Sequence, residues 1–289
     1  MSPNNTIDRF IVEYHKMFDS VPYFQTLQDS PDEKDLFESL IGKMLEISNL
    51  KCLYQNYLYP SAQKCHHKQR KFISKSKIVR KHSDLKKNVL SEIDDLPYSV
   101  IRMGYVQLFH LIDGCVKILF EKIDLICEKN AYKLVSEYVL QRYHIDIKKH
   151  WCTIDEDIEK INWISNRVKH DDGFPVHDVN RLPLKYLLPD EFPFGTNQRI
   201  KIELADYISD VDKGTNFLNE ISQIALKLYA LQALTSFING VNIQHQAIID
   251  IQKATEDLEK HLDKYFGLIK TMGIRETNPP KNKKKIKIV

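Results

Sequence analysis

The chain has 289 residues, 43% hydrophobic and 28% charged, with a formal net charge of +3. These figures exclude a disordered or low-complexity class and leave room for one large or two small globular domains. Gly (9) and Pro (11) are sparse, which favours helices over a turn-rich β-sandwich.

The opening Met-Ser-Pro-Asn-Asn-Thr is polar and has no apolar h-region, so no secretory signal is expected. The five cysteines (52, 65, 115, 127, 152) form no tight pairs, and their odd number fits a reducing cytoplasm. Charge is unevenly spread. Residues 64–87 carry ten Lys/Arg and one Asp, and residues 275–289 carry six Lys/Arg and one Glu, leaving −11 on the rest. An acidic body with two basic segments points to a polyanion partner at those segments.

Helix starts are legible along the chain. Ser30-Pro31-Asp32-Glu33 reads as an N-cap, a proline at N1 and a capping-box glutamate. The helix behind it runs through Leu36, Leu40, Met44 and Ile47 to about Tyr59, where Pro60 interrupts and opens the next helix. That second helix is expected to continue through the basic stretch to about Ile93. Asp94-Asp95-Leu96-Pro97 reads as another start, followed by Ile101, Tyr105, Leu108, Ile112, Cys115, Leu119 and Ile123 at amphipathic spacing. A shorter helix is expected over roughly 131–142. Thr153-Ile154-Asp155-Glu156 is a further capping box, opening a helix with Ile154, Ile158, Ile161, Ile164 and Val168 on one face.

Asp171-Asp172-Gly173-Phe174-Pro175 stops that helix. Residues 174–203 hold four prolines (175, 183, 189, 193) and read as an irregular crossing segment, with Arg199-Ile200-Lys201-Ile202-Glu203 a candidate short strand. Two long helices follow over about 206–240 and 244–272, with Gly273 as a C-cap. From Leu228 to Ile249 there is no Lys, Arg, Asp or Glu, but Gln232, Thr235, Ser236, Asn239 and Gln244 interrupt the run. A buried core helix suits this better than a membrane span of about 20 predominantly apolar residues, so no membrane partner is expected. Taken together the chain reads as an all-α helical bundle with three regions: 1–96 with the basic helix, 97–273 as a helical core, and 274–289 as a disordered basic tail.

Three features carry chemistry. In Asn162-Trp163-Ile164-Ser165-Asn166-Arg167-Val168-Lys169-His170, Asn166 and His170 lie four residues apart on one helix face, with Arg167 and Lys169 around them. An amide, a histidine and two cations at a helix end make a candidate anion site. The plainer reading is that His170 caps the helix C-terminus, where a cation suits the dipole. Asp113 sits on a strongly apolar helix and needs a partner. That partner is either His170, oriented as a catalytic histidine is, or a lysine or backbone group at the bundle edge. In the basic run, Lys68, Arg70, Lys71 and Lys75 are candidate phosphate contacts and Phe72 a candidate stacking residue. The plainer alternative is a solvated helix face with Phe72, Ile73 and Val79 packed inward. Cys65-His66-His67 lacks a second ligand pair at zinc spacing, so no metal is expected. With no Walker loop, dinucleotide fingerprint or nucleophile elbow, no cofactor is expected either.

The segment Ile164–Gly173 resembles the signature of the HEPN superfamily, in which a late helix ends in Arg-Asn, three residues, then His. Asn166 and His170 match that pattern, and Ser165 stands where the family has arginine. The helix around Tyr105–Ile118 is similar to a first core helix of some bacterial members, so the resemblance covers about residues 97–175. It implies an all-α bundle, a homodimer with two motifs facing each other, and metal-independent RNA cleavage of a defence or toxin–antitoxin type. His170 would then act as base toward a ribose 2′-hydroxyl, with Asn166 positioning the phosphate, Lys169 stabilising charge and Asp113 orienting the histidine. The serine lacks the arginine's phosphate-binding fork. That departure favours the rival reading, a non-catalytic helical protein that binds nucleic acid or a protein partner.

Overall fold

The computed structural model describes residues 31–77, 81–153, 155–173 and 199–240, together with nine positions between 253 and 266. Among these residues there are seven α-helices and no strand: α1 (Pro31–Leu53), α2 (Tyr59–Lys75), α3 (Ser83–Lys129), α4 (Val135–Tyr143), α5 (Ile147–His150), α6 (Glu156–Asp171) and α7 (Leu204–Gly240). The chain is an all-α helical bundle. The candidate strand at 199–203 does not form: among the described residues these five have no regular secondary structure. Most of the Pro-containing crossing segment, the residues after 240 expected as a helix up to Gly273, and the basic tail fall largely or wholly outside the described residues.

The bundle is organised around α3, against which α1, α2, α6 and α7 all pack. The apolar stripe expected from spacing is the one buried: Ile101, Tyr105, Leu108, Ile112, Cys115, Leu119 and Ile123 have no exposure. Leu36, Leu40, Met44, Ile47 and Leu50 of α1 join the same core, as do Ile158, Ile161 and Ile164 of α6 and Tyr207, Val211, Leu218, Ile221 and Leu228 of α7. Residues on both sides of position 97 therefore share one core. By length and composition, α3 from Asp84 to Lys129 is long and apolar enough to cross a membrane. In this fold its apolar stripe is spent on helix packing.

Three expected boundaries are corrected. Pro60 sits within the first two positions of α2, as expected of a helix opener, while the regular α-helix of α1 ends at Leu53. A π-helical turn, Tyr54–Leu58, joins α1 to α2 and brings Tyr54 against Gly104 and Tyr207. A Cβ on Gly104 would lie 2.7 Å from the Tyr207 ring, so only glycine allows this approach. The basic helix ends at Lys75, where Ser76 turns extended (ψ 121°), rather than reaching Ile93.

Asp94-Asp95-Leu96-Pro97 does not start a helix, because α3 begins at Ser83 and carries Pro97 in its interior. The two aspartates have tertiary partners instead of capping roles: His66 and Arg70 hold Asp94, and Arg102 and Arg199 hold Asp95. Finally, α6 is capped by Asp155, whose carboxylate accepts the Ile158 N–H at 3.0 Å, while Thr153 belongs to the preceding 3₁₀ turn.

Candidate functional site

Helix α6 runs back along α3 and ends beside it. Its C-terminus is closed by Asp172 and Gly173 at positive φ (50° and 79°), with the Gly173 N–H donating to the Arg167 carbonyl at 3.0 Å. The buried side of α6 carries Ile158, Ile161, Ile164 and Ser165. Asn166 and His170 lie on the side away from it, whereas Lys169, four residues after Ser165, is exposed at the end of Ser165's side. His170 is exposed and, among the described residues, makes no hydrogen bond or ion pair. Asn166, one turn back, is half-buried and donates its amide to the Asn162 side chain at 3.0 Å. The Lys169 ammonium lies 5.3 Å from the centre of the Phe109 ring, a cation–π contact that draws it toward α3. Phe109 in turn stacks on Trp151 at 5.7 Å.

The remaining predicted residues divide. Asp113, one turn beyond Phe109 on α3, is bonded by Lys117 at 2.7 Å. This is the lysine partner weighed in the sequence, and no bond joins Asp113 to His170. Arg167 is paired with Asp171 at 2.9 Å, which turns it into a helix-end ion pair. Ser165 is fully buried, and among the described residues its hydroxyl has no hydrogen-bond partner. The position the HEPN signature gives to arginine therefore faces the core, on the opposite side of α6 from His170.

Sequence reasoning missed a polar cluster behind this helix end. Arg102, 4% exposed, donates to both carboxylate oxygens of Asp95 and to the Ile200 carbonyl at 2.9 Å. Arg199 links the same Asp95 (3.4 Å) to Glu92 (2.9 Å) and to Asp172 (2.7 Å). The Ile200 N–H meets the Gly173 carbonyl at 2.8 Å. These contacts hold the end of α6 and residues 199–200 against α3. A second cluster lies deeper, where Asp210, 1% exposed, accepts from the Tyr105 hydroxyl at 2.5 Å and pairs with Lys160 at 2.8 Å. Burial and the neighbouring Asp210 charge push the Tyr105 phenol well above its ordinary range. Apart from Arg102 and Asp95, which are seven residues apart on one helix, the partners in these clusters come from distant parts of the chain.

The second candidate site is α2. Its inward side is thin: Ala62, His66, Gln69 and Ile73, at spacings of four, three and four, turn toward α3, and only Ala62 is buried. Lys64, Lys68, Lys71 and Lys75 repeat at the same spacing on another side, and all are exposed. Among the described residues no carboxylate pairs with any of them. Elsewhere lysines are commonly paired, as Lys43, Lys51, Lys122, Lys129, Lys148, Lys160 and Lys213 are. Arg70 differs from its neighbours, lying 3.3 Å from Asp94. Phe72 is 73% exposed, so it does not pack inward as the plainer reading of the run would have it.

Among the described residues, no group of three or more His, Cys, Asp or Glu converges as a metal site. Compared with known proteins, the chain matches no family model, no curated protein and no solved structure.

Proposed function

We propose that this chain is a HEPN-like, RNA-engaging helical protein whose contact with RNA is the basic side of α2. The observation that carries the reading is the row Lys64, Lys68, Lys71 and Lys75, exposed and, among the described residues, paired with no carboxylate, in a chain whose remaining residues are net acidic. Unpaired ammonium groups spaced along one helix side neutralise successive phosphates and release their counterions.

The test is RNA binding by fluorescence anisotropy over a salt series. The wild-type protein should bind and weaken steeply with salt, with a slope of about −0.7 per phosphate contact on a single strand. Reversing Lys68, Arg70, Lys71 and Lys75 to glutamate should flatten that slope and weaken binding. Salt-insensitive binding, or none, would leave the run a solvated helix side. The bundle would then be a module for a protein partner.

A second reading, metal-independent RNA cleavage, draws on the exposed and unpartnered His170 beside Asn166 and Lys169. In it His170 takes the proton of a ribose 2′-hydroxyl, whose oxygen attacks the adjacent phosphorus while the bond to the 5′-oxygen breaks and that oxygen leaves with a proton from water; Asn166 orients the phosphate and Lys169 offsets its charge. Asp113 is occupied by Lys117, so the histidine would act without it. Two copies meeting about a two-fold axis would bring both motifs to one strand. Purified protein incubated with total RNA should cut it in the presence of a chelator, and His170→Ala should reduce the rate at least a hundredfold, about the lower end of general acid–base catalysis. A loss below about tenfold removes His170 as the base.

A further inference from the structure

We infer that Phe72 and the groove beside it form a seat for one unpaired base, making α2 a reader of single-stranded rather than double-stranded RNA. This rests on the RNA-engaging reading of α2 and adds to it the strandedness of the ligand. At 100° per residue, Phe72 falls between the lysine row and the side of α2 that faces α3. It therefore borders both the phosphate-binding charges and the inter-helix groove.

That groove is lined by Lys68, Gln69, Phe72, Ile73 and Ile93 and has a volume of about 440 Å³. A second depression, bounded by Gln69, Asn88, Ser91 and Ile93, continues it along α3. The floor is apolar, supplied by Phe72, Ile73 and Ile93, and the rim offers amides and a hydroxyl. The one nearby carboxylate of the second depression, Glu92, is paired with Arg199 at 2.9 Å.

An aromatic ring that is 73% exposed costs hydration without contributing to the core. Beside a row of free cations, the occupant that matches both features is a base attached to a phosphate chain. The ring stacks on the base and the lysines meet the backbone, without regard to sequence. Bases in a duplex are already stacked and paired, so they cannot enter.

The experiment compares a labelled single-stranded RNA with a duplex of equal length, using the full chain. Wild-type protein should prefer the single strand. Phe72→Ala should lose roughly five- to a hundredfold in single-strand affinity, the range of one base–aromatic stack. Its salt slope should stay unchanged, because no phosphate contact is lost, and its duplex affinity should move less than twofold. Phe72→Trp should keep the affinity, and its indole fluorescence should be quenched by single-stranded RNA only. Circular dichroism checks that both variants keep the helical content of the parent.

Equal loss for single strand and duplex, or wild-type behaviour of Phe72→Ala, overturns the base seat while leaving RNA binding in place. Failure of the wild type to bind either RNA overturns both, and is separated by the absence of any parental signal.

Discussion

Arg102 in α3 grips both carboxylate oxygens of Asp95 two turns earlier on the same helix, and the two side chains are only 5% and 14% exposed. The arginine's stem leaves no room for a Cβ on Gly173, which would come within 2.8 Å of its Cδ. One ion pair thus fixes where α6 ends and where residues 199–200 attach. Removing one member of a buried pair strands the other charge, at a cost of about 3–5 kcal/mol. Arg102→Met should lower the unfolding free energy in urea titration, by less than that amount because Arg199 still reaches Asp95 at 3.4 Å. The double variant Arg102→Met/Asp95→Leu should lose less than the single one. If the double variant is the weaker of the two, the pair is not what holds this junction.

Ser165 supplies the second prediction. Its hydroxyl is buried without a partner among the described residues, an arrangement that costs roughly 1–3 kcal/mol relative to a satisfied or apolar group. Ser165→Ala should therefore raise the melting temperature, with α6 otherwise unchanged. Ser165→Arg should do the opposite. It would place a guanidinium among Ile158, Ile161 and Ile164, where an unpaired charge costs several kcal/mol. Thermal denaturation of both variants checks the pair. A Ser165→Arg protein as stable as the parent would mean that the guanidinium leaves the core for solvent.

This burial was legible earlier than the structure. Ser165 follows Ile161 by four residues and Ile158 by seven, so it shares their stripe. Reading it only as a replaced cation passed over its position. The stripes of α1, α3 and α6 could be read because apolar spacing at threes and fours is a local property. The Asp94-Asp95-Leu96-Pro97 signal misled for the converse reason. It has the composition of a helix start, but its carboxylates are claimed by His66, Arg70, Arg102 and Arg199, and of these only Arg102 lies on the same helix within reach of a local pattern. Asp113 lay between the two cases. Its lysine partner is four residues on, within reach of sequence reasoning, whereas a link to His170 needed the packing of α3 against α6.

The cysteines give a third check. Cys115 and Cys127 are buried, and desolvation pushes both thiols up to about 12. The thiolate is the reactive form, so both should resist alkylation at pH 8 until the bundle unfolds. Cys52 and Cys65 are exposed and should react readily. Timed alkylation with mass analysis should find Cys52 and Cys65 modified first, and Cys115 and Cys127 only in denaturant. Fast labelling of Cys115 in native buffer would contradict the packing of α3 at the centre of the core.

The last prediction concerns acid. Asp263 tethers the C-terminal described residues to α4. It accepts from Arg142 at 3.1–3.2 Å and from the Tyr143 hydroxyl at 2.9 Å, while Phe266 stacks on Tyr143 at 4.2 Å. The Arg142 hydrogen bonds, and after them the Tyr143 hydrogen bond, hold the Asp263 carboxyl below its ordinary range. A carboxyl with a depressed folded value contributes stability above the unfolded value of about 3.9 and loses it as pH falls through the folded one. Arg142 stays charged throughout, and its second carboxylate partner, Glu259 at 3.4 Å, is present in both proteins compared. Both side chains are solvent-accessible, which limits the contribution to about 0.2–1 kcal/mol and makes it weaken with salt. The unfolding free energy of wild type minus Asp263→Asn should therefore be positive at neutral pH. It should shrink toward zero as the pH drops below the lowered carboxyl value, since a protonated aspartate then resembles the amide. A difference that stays constant from neutral to strongly acidic pH would show that Asp263 acts through its shape and not through its charge.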